Sequence, residues 1–330
     1  MKIDGGVSNM GRQHNVLYRK EFGFVLQTHA RFLKICKKFT KGYLKEQIYD
    51  RDHALKGAWL RSHFSDTISS LVAQYYATGS SSLAKPSKKY IWMFWWQANH
   101  QELPVIRTCI DSIKKHMPDD AELIILTKDN LAEYCSIPDH IYKKLETGII
   151  TLTHFSDIVR VTALADRGGL WLDATIFATA DFSYAFEGPF WSIKKPGSTH
   201  KFVPRGRWTI YAIGSEKNSI IFYLMKELFS QYWAHYNVML DYFLVDLFMN
   251  FLYENVEEVK TLIDGVQPNN IQVLGMQGSL QDFWNPSLVD GLMKDTQLFK
   301  LSWKQQVPVT IDEKMTLYGW FLSQDTAKIF

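Results

Sequence analysis

Two charged residues, Asp157 and Arg160, lie three positions apart in a segment whose apolar residues recur with the spacing of a helix. Side chains three apart on a helix project from the same side. The apolar stripe of this helix consists of Ile158, Val161, Leu164 and Ala165. Asp157 falls in the middle of that stripe and Arg160 at its edge, whereas a solvated ion pair lies on the opposite face. Because an unpaired buried charge is very costly, both side chains need partners inside the protein.

The same segment ends on a third charged residue, Asp173. Gly168 and Gly169 supply a left-handed end to the helix, and residues 170–172 (Leu-Trp-Leu) then form a short apolar strand. Asp173 follows this strand directly, and open α/β sheets bind their ligands at the carboxyl ends of strands. The pattern predicts a polar binding site made of two carboxylates and a guanidinium. The alternative is a structural ion pair and an unrelated turn aspartate.

The elements around this motif alternate between strand and helix. Residues 90–96 form an apolar run of strand length, Pro104 opens a helix that extends to residue 116, and residues 122–126 form a second strand. Further helices are expected over residues 215–233 and 238–260. Apolar strands that alternate with helices predict an α/β fold with a largely parallel sheet and helices on both faces.

The N-terminal part of the chain differs from the rest in charge. Residues 1–65 contain 13 Lys or Arg against 5 Asp or Glu, and a Gly-Ser-rich stretch with Lys85-Pro86 follows. We therefore predict a basic helical region at 1–85 and a main domain at 86–330. Apolar residues interleave with the basic ones at roughly helical spacing: Phe22, Phe24, Phe32, Leu33, Ile35, Phe39, Tyr43 and Leu44. This pattern favours binding to an anionic membrane surface over binding to nucleic acid; the alternative is a helix that packs its apolar stripe on the domain.

Composition narrows the class of protein further. The chain has 330 residues, of which 46% are apolar and 15% aromatic, and this suits a large folded core. Its three cysteines, Cys36, Cys109 and Cys135, lack metal-ligand spacing and favour a reducing compartment. We find no secretory signal pattern and no apolar run of the ~20 residues that span a bilayer, and we expect a protein of the cytosol or the inner face of the cell membrane. A Gly-rich phosphate loop, a Gly-x-Ser-x-Gly elbow and a His-Glu-x-x-His zinc helix are also missing from the sequence.

Several motifs in order resemble a known family over about residues 88–325. They are residues 91–97 (Ile-Trp-Met-Phe-Trp-Trp-Gln), 153–175 with the Asp-x-x-Arg, Gly-Gly and Leu-Asp-Ala-Thr elements, 207–208 (Arg-Trp) and 241–244 (Asp-Tyr-Phe-Leu). The sequence resembles the bacterial capsular polysaccharide synthesis branch of glycosyltransferase family 32. The resemblance implies a GT-A-type, Rossmann-like fold and the transfer of a hexose, with retention, from a nucleotide sugar to a capsular or lipid-linked glycan. A UDP-sugar is the expected donor, ahead of GDP-mannose.

The resemblance also implies roles for individual residues. Asp157, Arg160 and Asp173 would be catalytic and contact the donor sugar and ribose, and Trp96 would stack on the base. Thr175 occupies the donor-site position where the family usually has a second aspartate that ligates manganese. A hydroxyl is a poor substitute for that carboxylate, so we expect a divalent ion, manganese, held weakly by Asp173 with ligands from elsewhere.

Other interpretations stay open at this level. Trp96 can equally pack in the core beside Trp92 and Phe94. One of Asp241 and Asp246 is a candidate to face the site. The segment after the signature strand contains the basic residues Lys194, Lys195, Lys201, Arg205 and Arg207. It can guide an anionic donor or acceptor, or it can be a solvated loop. The sequence shows no pair of cations fixed beside Asp173. Two further functions remain: a non-catalytic glycan-binding or scaffold protein, and a capsular sugar-phosphate transferase, for which we find no phosphate-activating His and Arg set.

Overall fold

The computed structural model describes residues 5–78, 88–195, 197, 200–305 and 307–324, with side chains from residue 15 onward except at five positions between 30 and 38. The helices are α1 (Gly5–Phe39), α2 (Gly42–Ala77), α3 (Pro104–His116), α4 (Leu131–Tyr134), α5 (Asp139–Glu146), α6 (Leu152–Arg167), α7 (Ile220–His235), α8 (Leu244–Asn255), α9 (Glu257–Gly265), α10 (Gly275–Gly278), α11 (Pro286–Met293) and α12 (Leu317–Ser323). The strands are β1 (Lys89–Phe94), β2 (Ala121–Leu126), β3 (Gly169–Leu172), β4 (Ile176–Ala178), β5 (Phe190–Ser192), β6 (Ala212–Ser215), β7 (Leu298–Lys300), β8 (Thr310–Ile311) and β9 (Lys314–Met315).

A five-stranded sheet in the order β2-β1-β3-β6-β5 forms the centre of the protein. Strands β2, β1 and β3 are parallel, whereas β6 is antiparallel to β3 and β5 antiparallel to β6. One apolar cluster joins the sheet to α3, and a second joins it to α6, α7 and α8. The predicted α/β class is confirmed, because helices cover both faces of a largely parallel sheet.

The sequence placed most of these elements closely, with three differences. The helix expected over 215–233 begins only at Ile220, and Ser215 ends β6. Strand β1 ends at Phe94, so Trp95 and Trp96 follow the strand instead of completing it. The helix expected over 238–260 begins only at Leu244 and divides into α8 and α9. Its late start has a local cause, since the Asp241 carboxylate accepts a hydrogen bond from the backbone N–H of Phe243 (2.8 Å) and favours a turn there.

Two glycines allow the tight passage from α6 into β3. Gly168 and Gly169 have φ angles of 68° and 101°, a region that L side chains rarely adopt. A Cβ on Gly168 would lie 2.4 Å from the backbone nitrogen of Lys217, and a Cβ on Gly169 would lie 2.4 Å from the Tyr90 carbonyl oxygen. The turn therefore requires glycine at both positions, and it fixes the end of β3 relative to α6.

The two N-terminal helices pack on the face of the sheet that α6, α7 and α8 cover. Phe22 of α1 lies against Trp59 of α2 with ring centroids 5.0 Å apart, and the Tyr18 hydroxyl donates to the Leu240 carbonyl (3.1 Å). Lys56 is buried and paired with both Asp52 and Asp241, which ties α2 to the segment before α8. One face of these helices thus joins the main core. The predicted division at residue 85 lies outside the described residues and stays a prediction.

The opposite side of α1 and the start of α2 expose apolar side chains. These are Val16, Leu17, Phe24, Val25, Phe32, Ile35, Phe39, Tyr43 and Leu44. Among the described residues, no helix has both the length and the apolar character needed to cross a bilayer. The apolar residues named from the sequence therefore separate into two groups: Phe22 and Leu33 are buried against the protein, and the others face outward.

Candidate active site

Asp173 is the centre of the predicted site. Its Oδ1 accepts hydrogen bonds from the Trp171 indole (3.0 Å) and from Nη2 of Arg160 (3.1 Å), and its Oδ2 lies 3.2 Å from the Lys300 ammonium. The Asp173 side chain keeps 28% of its surface exposed. A carboxylate at the carboxyl end of β3 is thus held between two cations and remains open to a ligand.

Arg160 connects this carboxylate to Asp157. Its Nη1 donates to Asp157 Oδ1 at 2.5 Å, and the guanidinium carbon lies 4.9 Å from the centre of the Trp171 ring. The Arg160 side chain is only 6% exposed, and its buried Nε has no hydrogen-bond partner among the described residues. The structure therefore brings Asp157, Arg160 and Asp173 together, and the inward ion pair inferred from helical spacing is present.

The charge state of Asp173 follows from its neighbours. Burial raises the pKa of this carboxyl, but Lys300 and Arg160, together with the Trp171 hydrogen bond, outweigh burial and hold the pKa below its usual value. The group is therefore ionised at neutral pH. It offers two acceptor oxygens fixed by positive charge on both sides.

His154 lies beside Asp157 in the core. The Trp233 indole donates to His154 Nε2 (3.1 Å), so in the neutral ring Nδ1 carries the proton. That nitrogen lies 3.6 Å from Asp157 Oδ2, beyond hydrogen-bond distance, and has no hydrogen-bond partner among the described residues. The histidine side chain is 2% exposed, so it lies close to the Asp157 carboxylate without bonding to it, and its burial keeps it from direct contact with a ligand.

Trp96 lies at the same edge of the sheet, just after β1. It is half-buried and packs edge-on against Phe155 of α6, with ring centroids 5.5 Å apart. Its neighbour Trp95 donates to the Asn99 side chain (2.9 Å) and packs against Trp303. Stacking of Trp96 on a base stays a prediction; Trp95 and Trp303 add two further partly exposed rings near the end of β1.

Lys300 is the residue that sequence reasoning missed. It ends β7, which pairs antiparallel with β4, so the backbone of Leu301 donates to the Thr175 carbonyl (2.9 Å). This pairing carries the Lys300 ammonium to Asp173 and to the Thr175 hydroxyl, to which it donates. The expectation that no pair of cations is fixed beside Asp173 was wrong, because Arg160 and Lys300 form that pair. A lysine at the end of a short apolar strand was the only signal in the sequence.

Asp246 lies within electrostatic range of Asp157 and Arg160, whereas Asp241 is paired with Lys56 of α2. The carboxyl of Asp246 is buried in α8 and accepts a hydrogen bond from the Trp208 indole (2.9 Å). Burial raises its pKa to about 7; the Trp208 hydrogen bond and Arg160 oppose this shift, and Asp157 adds to it. This carboxyl is therefore partly protonated near neutral pH. It lies within electrostatic range of the Asp157–Arg160 pair.

The basic segment after β5 is engaged elsewhere. Lys194 donates to two carbonyls at the end of α9 (3.3 Å each), Arg205 to Asp50 (2.6 Å) and Arg207 to Asn250 (2.6 Å). Arg207 also stacks on the rings of Trp208 and Tyr253, with its guanidinium carbon 4.6 and 4.3 Å from their centres. These side chains hold the fold together in this structure, so the positive charge beside Asp173 comes from Arg160 and Lys300.

The residues beside Asp173 fit a divalent metal poorly. Among the described residues, no three His, Cys, Asp or Glu side chains converge as a set of metal ligands. The Oδ2 atom of Asp173 contacts the Lys300 ammonium, and the Thr175 hydroxyl accepts a hydrogen bond from the same ammonium. Hard divalent cations take several oxygen ligands, most of them carboxylates, carbonyls or water. The manganese ion inferred from the resemblance stays a prediction that this donor set does not favour.

Comparison with known protein families gives a match over most of the chain. The family model described as "Capsular polysaccharide synthesis protein" matches residues 24–319. Among solved structures, the chain is similar to the PaToxG glycosyltransferase, with 14% identity, 68% of this chain and 92% of that chain covered, and a TM-score of 0.36. It is also similar to the WbbM bifunctional glycosyltransferase, with 10% identity, 75% of this chain and 51% of that chain covered, and a TM-score of 0.42. No curated protein matches the sequence.

Proposed function

We propose that this chain, which belongs to the capsular polysaccharide synthesis protein family, is a glycosyltransferase that moves a hexose from a nucleotide sugar to a capsular or other surface glycan. The family match confirms the resemblance to capsular polysaccharide synthesis proteins that the sequence motifs indicated. Placement within glycosyltransferase family 32 stays a prediction. UDP is the proposed nucleotide of the donor, and retention of the anomeric configuration is proposed on the resemblance alone.

The arrangement of Arg160 and Lys300 on either side of Asp173 carries this proposal. In sugar transfer the bond between the anomeric carbon and the diphosphate breaks, and its electron pair leaves with the diphosphate. The acceptor hydroxyl then bonds to that carbon, and its proton passes to an oxygen of the leaving diphosphate. Negative charge grows on the leaving group while positive charge grows on the sugar, so a site must stabilise both. Two fixed cations beside an ionised carboxylate supply charges of both signs at one edge of the sheet.

Each charged residue has a proposed part in holding the donor. The Arg160 guanidinium can hydrogen-bond sugar oxygens or phosphate through its planar fork, and its Nε lacks a partner. The carboxylates of Asp157 and Asp173 accept hydrogen bonds from sugar or ribose hydroxyls, and Trp96 stacks on the base. Trp171 bonds to Asp173 and packs against Arg160, so it keeps both groups in place before the donor arrives and removes the cost of ordering them in the transition state.

A screen of UDP- and GDP-sugars against the full chain tests the proposal. A bound donor raises the melting temperature by mass action, and slow hydrolysis releases free nucleotide. If the chain is a glycosyltransferase, at least one nucleotide sugar should raise its melting temperature and should be hydrolysed by it. A glycan-binding or scaffold protein predicts neither effect, and a sugar-phosphate transferase would release the nucleoside monophosphate instead of the diphosphate.

The exposed apolar side of α1 supports a second part of the proposal, attachment to an anionic membrane surface. Phe24, Phe32 and Phe39 are 61%, 58% and 81% exposed, and Arg19 lies over the Phe24 ring within the basic stretch of residues 1–65. Apolar side chains that enter the lipid boundary and cations that face lipid phosphates act together in such binding. Binding of the full chain to vesicles with anionic lipid at low salt, and its loss as salt rises, is the expected result. Indifference to such vesicles at low salt would contradict this part.

A further inference from the structure

We propose that Lys300 stabilises the leaving diphosphate and that sugar transfer by this chain needs no divalent metal. The inference rests on the proposed glycosyltransferase function. It names the residue that supplies the positive charge, and it predicts the opposite of the manganese dependence inferred from the resemblance.

The position of the Lys300 ammonium is the first support. It lies 3.2 Å from Asp173 Oδ2 and donates to the Thr175 hydroxyl, so it occupies the space between the two side chains from which a metal would be held. An ammonium has three N–H donors, and these two contacts use two of them. The third donor remains for a phosphate oxygen, since the Lys300 side chain is 23% exposed.

The rigidity of this position is the second support. The backbone N–H of Lys300 donates to the Val273 carbonyl (2.8 Å), and its neighbour Leu301 donates to Thr175 (2.9 Å). Strands β4 and β7 pair over three residues, with Lys300 opposite Ile176. A cation placed before the reaction stabilises developing charge without reorganisation, which is the requirement for electrostatic catalysis.

Charge balance is the third support. Asp157 and Asp173 bring two negative charges, Arg160 and Lys300 bring two positive charges, and Thr175 brings none. The cluster is therefore neutral without a metal. A divalent ion placed between Asp173 and Thr175 would meet the Lys300 ammonium there and the Arg160 guanidinium on the other side of Asp173. The positive charge that a diphosphate needs is already present in these two side chains.

The test measures hydrolysis of UDP-sugars by the full chain in excess chelator, and separately the binding of UDP by calorimetry in the same buffer. We expect wild-type turnover to stay within about twofold of its value with manganese. Lys300→Met should lower turnover by about 100- to 1000-fold, the usual effect of losing one donor to a developing negative charge, and should weaken UDP binding. Lys300→Arg keeps the charge and should retain part of both activities.

Lys294→Met is the matched control, because Lys294 is exposed at the end of α11, and it should leave turnover and binding unchanged. Circular dichroism and the melting temperature show whether each variant is folded; if Lys300→Met fails to fold, Lys300→Arg and the chelator result decide. Wild-type turnover that stops in chelator and returns with manganese, or a folded Lys300→Met with more than a third of wild-type turnover, would overturn the inference and leave the glycosyltransferase intact. Absence of reaction and of UDP binding with and without manganese would overturn both.

Discussion

Replacing Asp173 with asparagine keeps the shape of the side chain and removes the charge that Arg160 and Lys300 face. Removing one partner of a buried ion pair costs about 3–5 kcal/mol. Asp173 and Lys300 are 28% and 23% exposed, so solvent screens part of this interaction and we expect a loss of about 1–3 kcal/mol in the free energy of unfolding. The protein should therefore remain folded and melt at a lower temperature.

The effect on chemistry should be larger than the effect on stability. Asparagine cannot hold Arg160 and Lys300 by charge, so each cation loses one of the contacts that fix it relative to the donor. We expect turnover of the nucleotide sugar to fall by about 100- to 1000-fold, corresponding to about 2.7–4 kcal/mol. Asp129→Asn, at an exposed position outside the site, is the matched control and should change neither quantity.

The pH dependence of stability separates this explanation from a packing defect. The folded-state pKa of Asp173 is lowered, so its contribution to stability is present above the ordinary aspartate pKa and is lost as the pH falls through the lower folded value. Urea unfolding at a series of acidic pH values should show wild type and Asp173→Asn converging at the lowest pH. A folded Asp173→Asn that keeps more than a third of wild-type turnover, or an equal stability gap at every pH, would contradict the role assigned to the Asp173 carboxylate.

The remaining predictions concern three other parts of the molecule. The pKa of Asp246 is raised to about 7, so its contribution to stability is present below the ordinary aspartate pKa and is lost as the pH rises toward 7. Asp246→Asn should flatten the dependence of unfolding free energy on pH in that range, and an unchanged slope would argue against the shifted group. Gly169→Ala should lower the melting temperature by several degrees and reduce activity, because its Cβ would lie 2.4 Å from a backbone oxygen of β1, whereas Gly291→Ala meets no atom within 4 Å and should be tolerated. Phe24→Ser combined with Phe39→Ser should weaken binding to anionic vesicles at low salt by at least tenfold without lowering turnover of a soluble donor, as measured by vesicle sedimentation; undiminished binding would place the contact elsewhere.

Local sequence signals were sufficient where the interacting residues are close in the chain. The helical spacing of Asp157 and Arg160, the Gly168-Gly169 stop and the apolar strand before Asp173 all lie within one segment, and the structure assembles them as expected. Fold class followed from the same kind of pattern, since the alternation of strands and helices is visible without knowledge of their pairing.

Features that depend on long-range pairing were not accessible in this way. Lys300 reaches Thr175 across 125 residues through the pairing of β4 with β7, and a three-residue strand carries almost no periodic signal. An apolar run that continues past Phe94 also hid the true end of β1. In α1 the backbone is not helical at Gly23 (φ 81°, ψ 172°), so the apolar residues before and after it do not form one continuous stripe, and spacing alone could not tell which of them meet the core.

The most direct test of the central claim is the release of nucleoside diphosphate from a panel of UDP- and GDP-sugars, compared between wild type and Arg160→Ala at equal folded concentration. Wild type should release UDP from at least one sugar nucleotide. The folded variant should be slower by about 100-fold or more, because it loses the cation between Asp157 and Asp173. Release by both proteins at similar rates, or by neither from any donor, would contradict the assignment of this site.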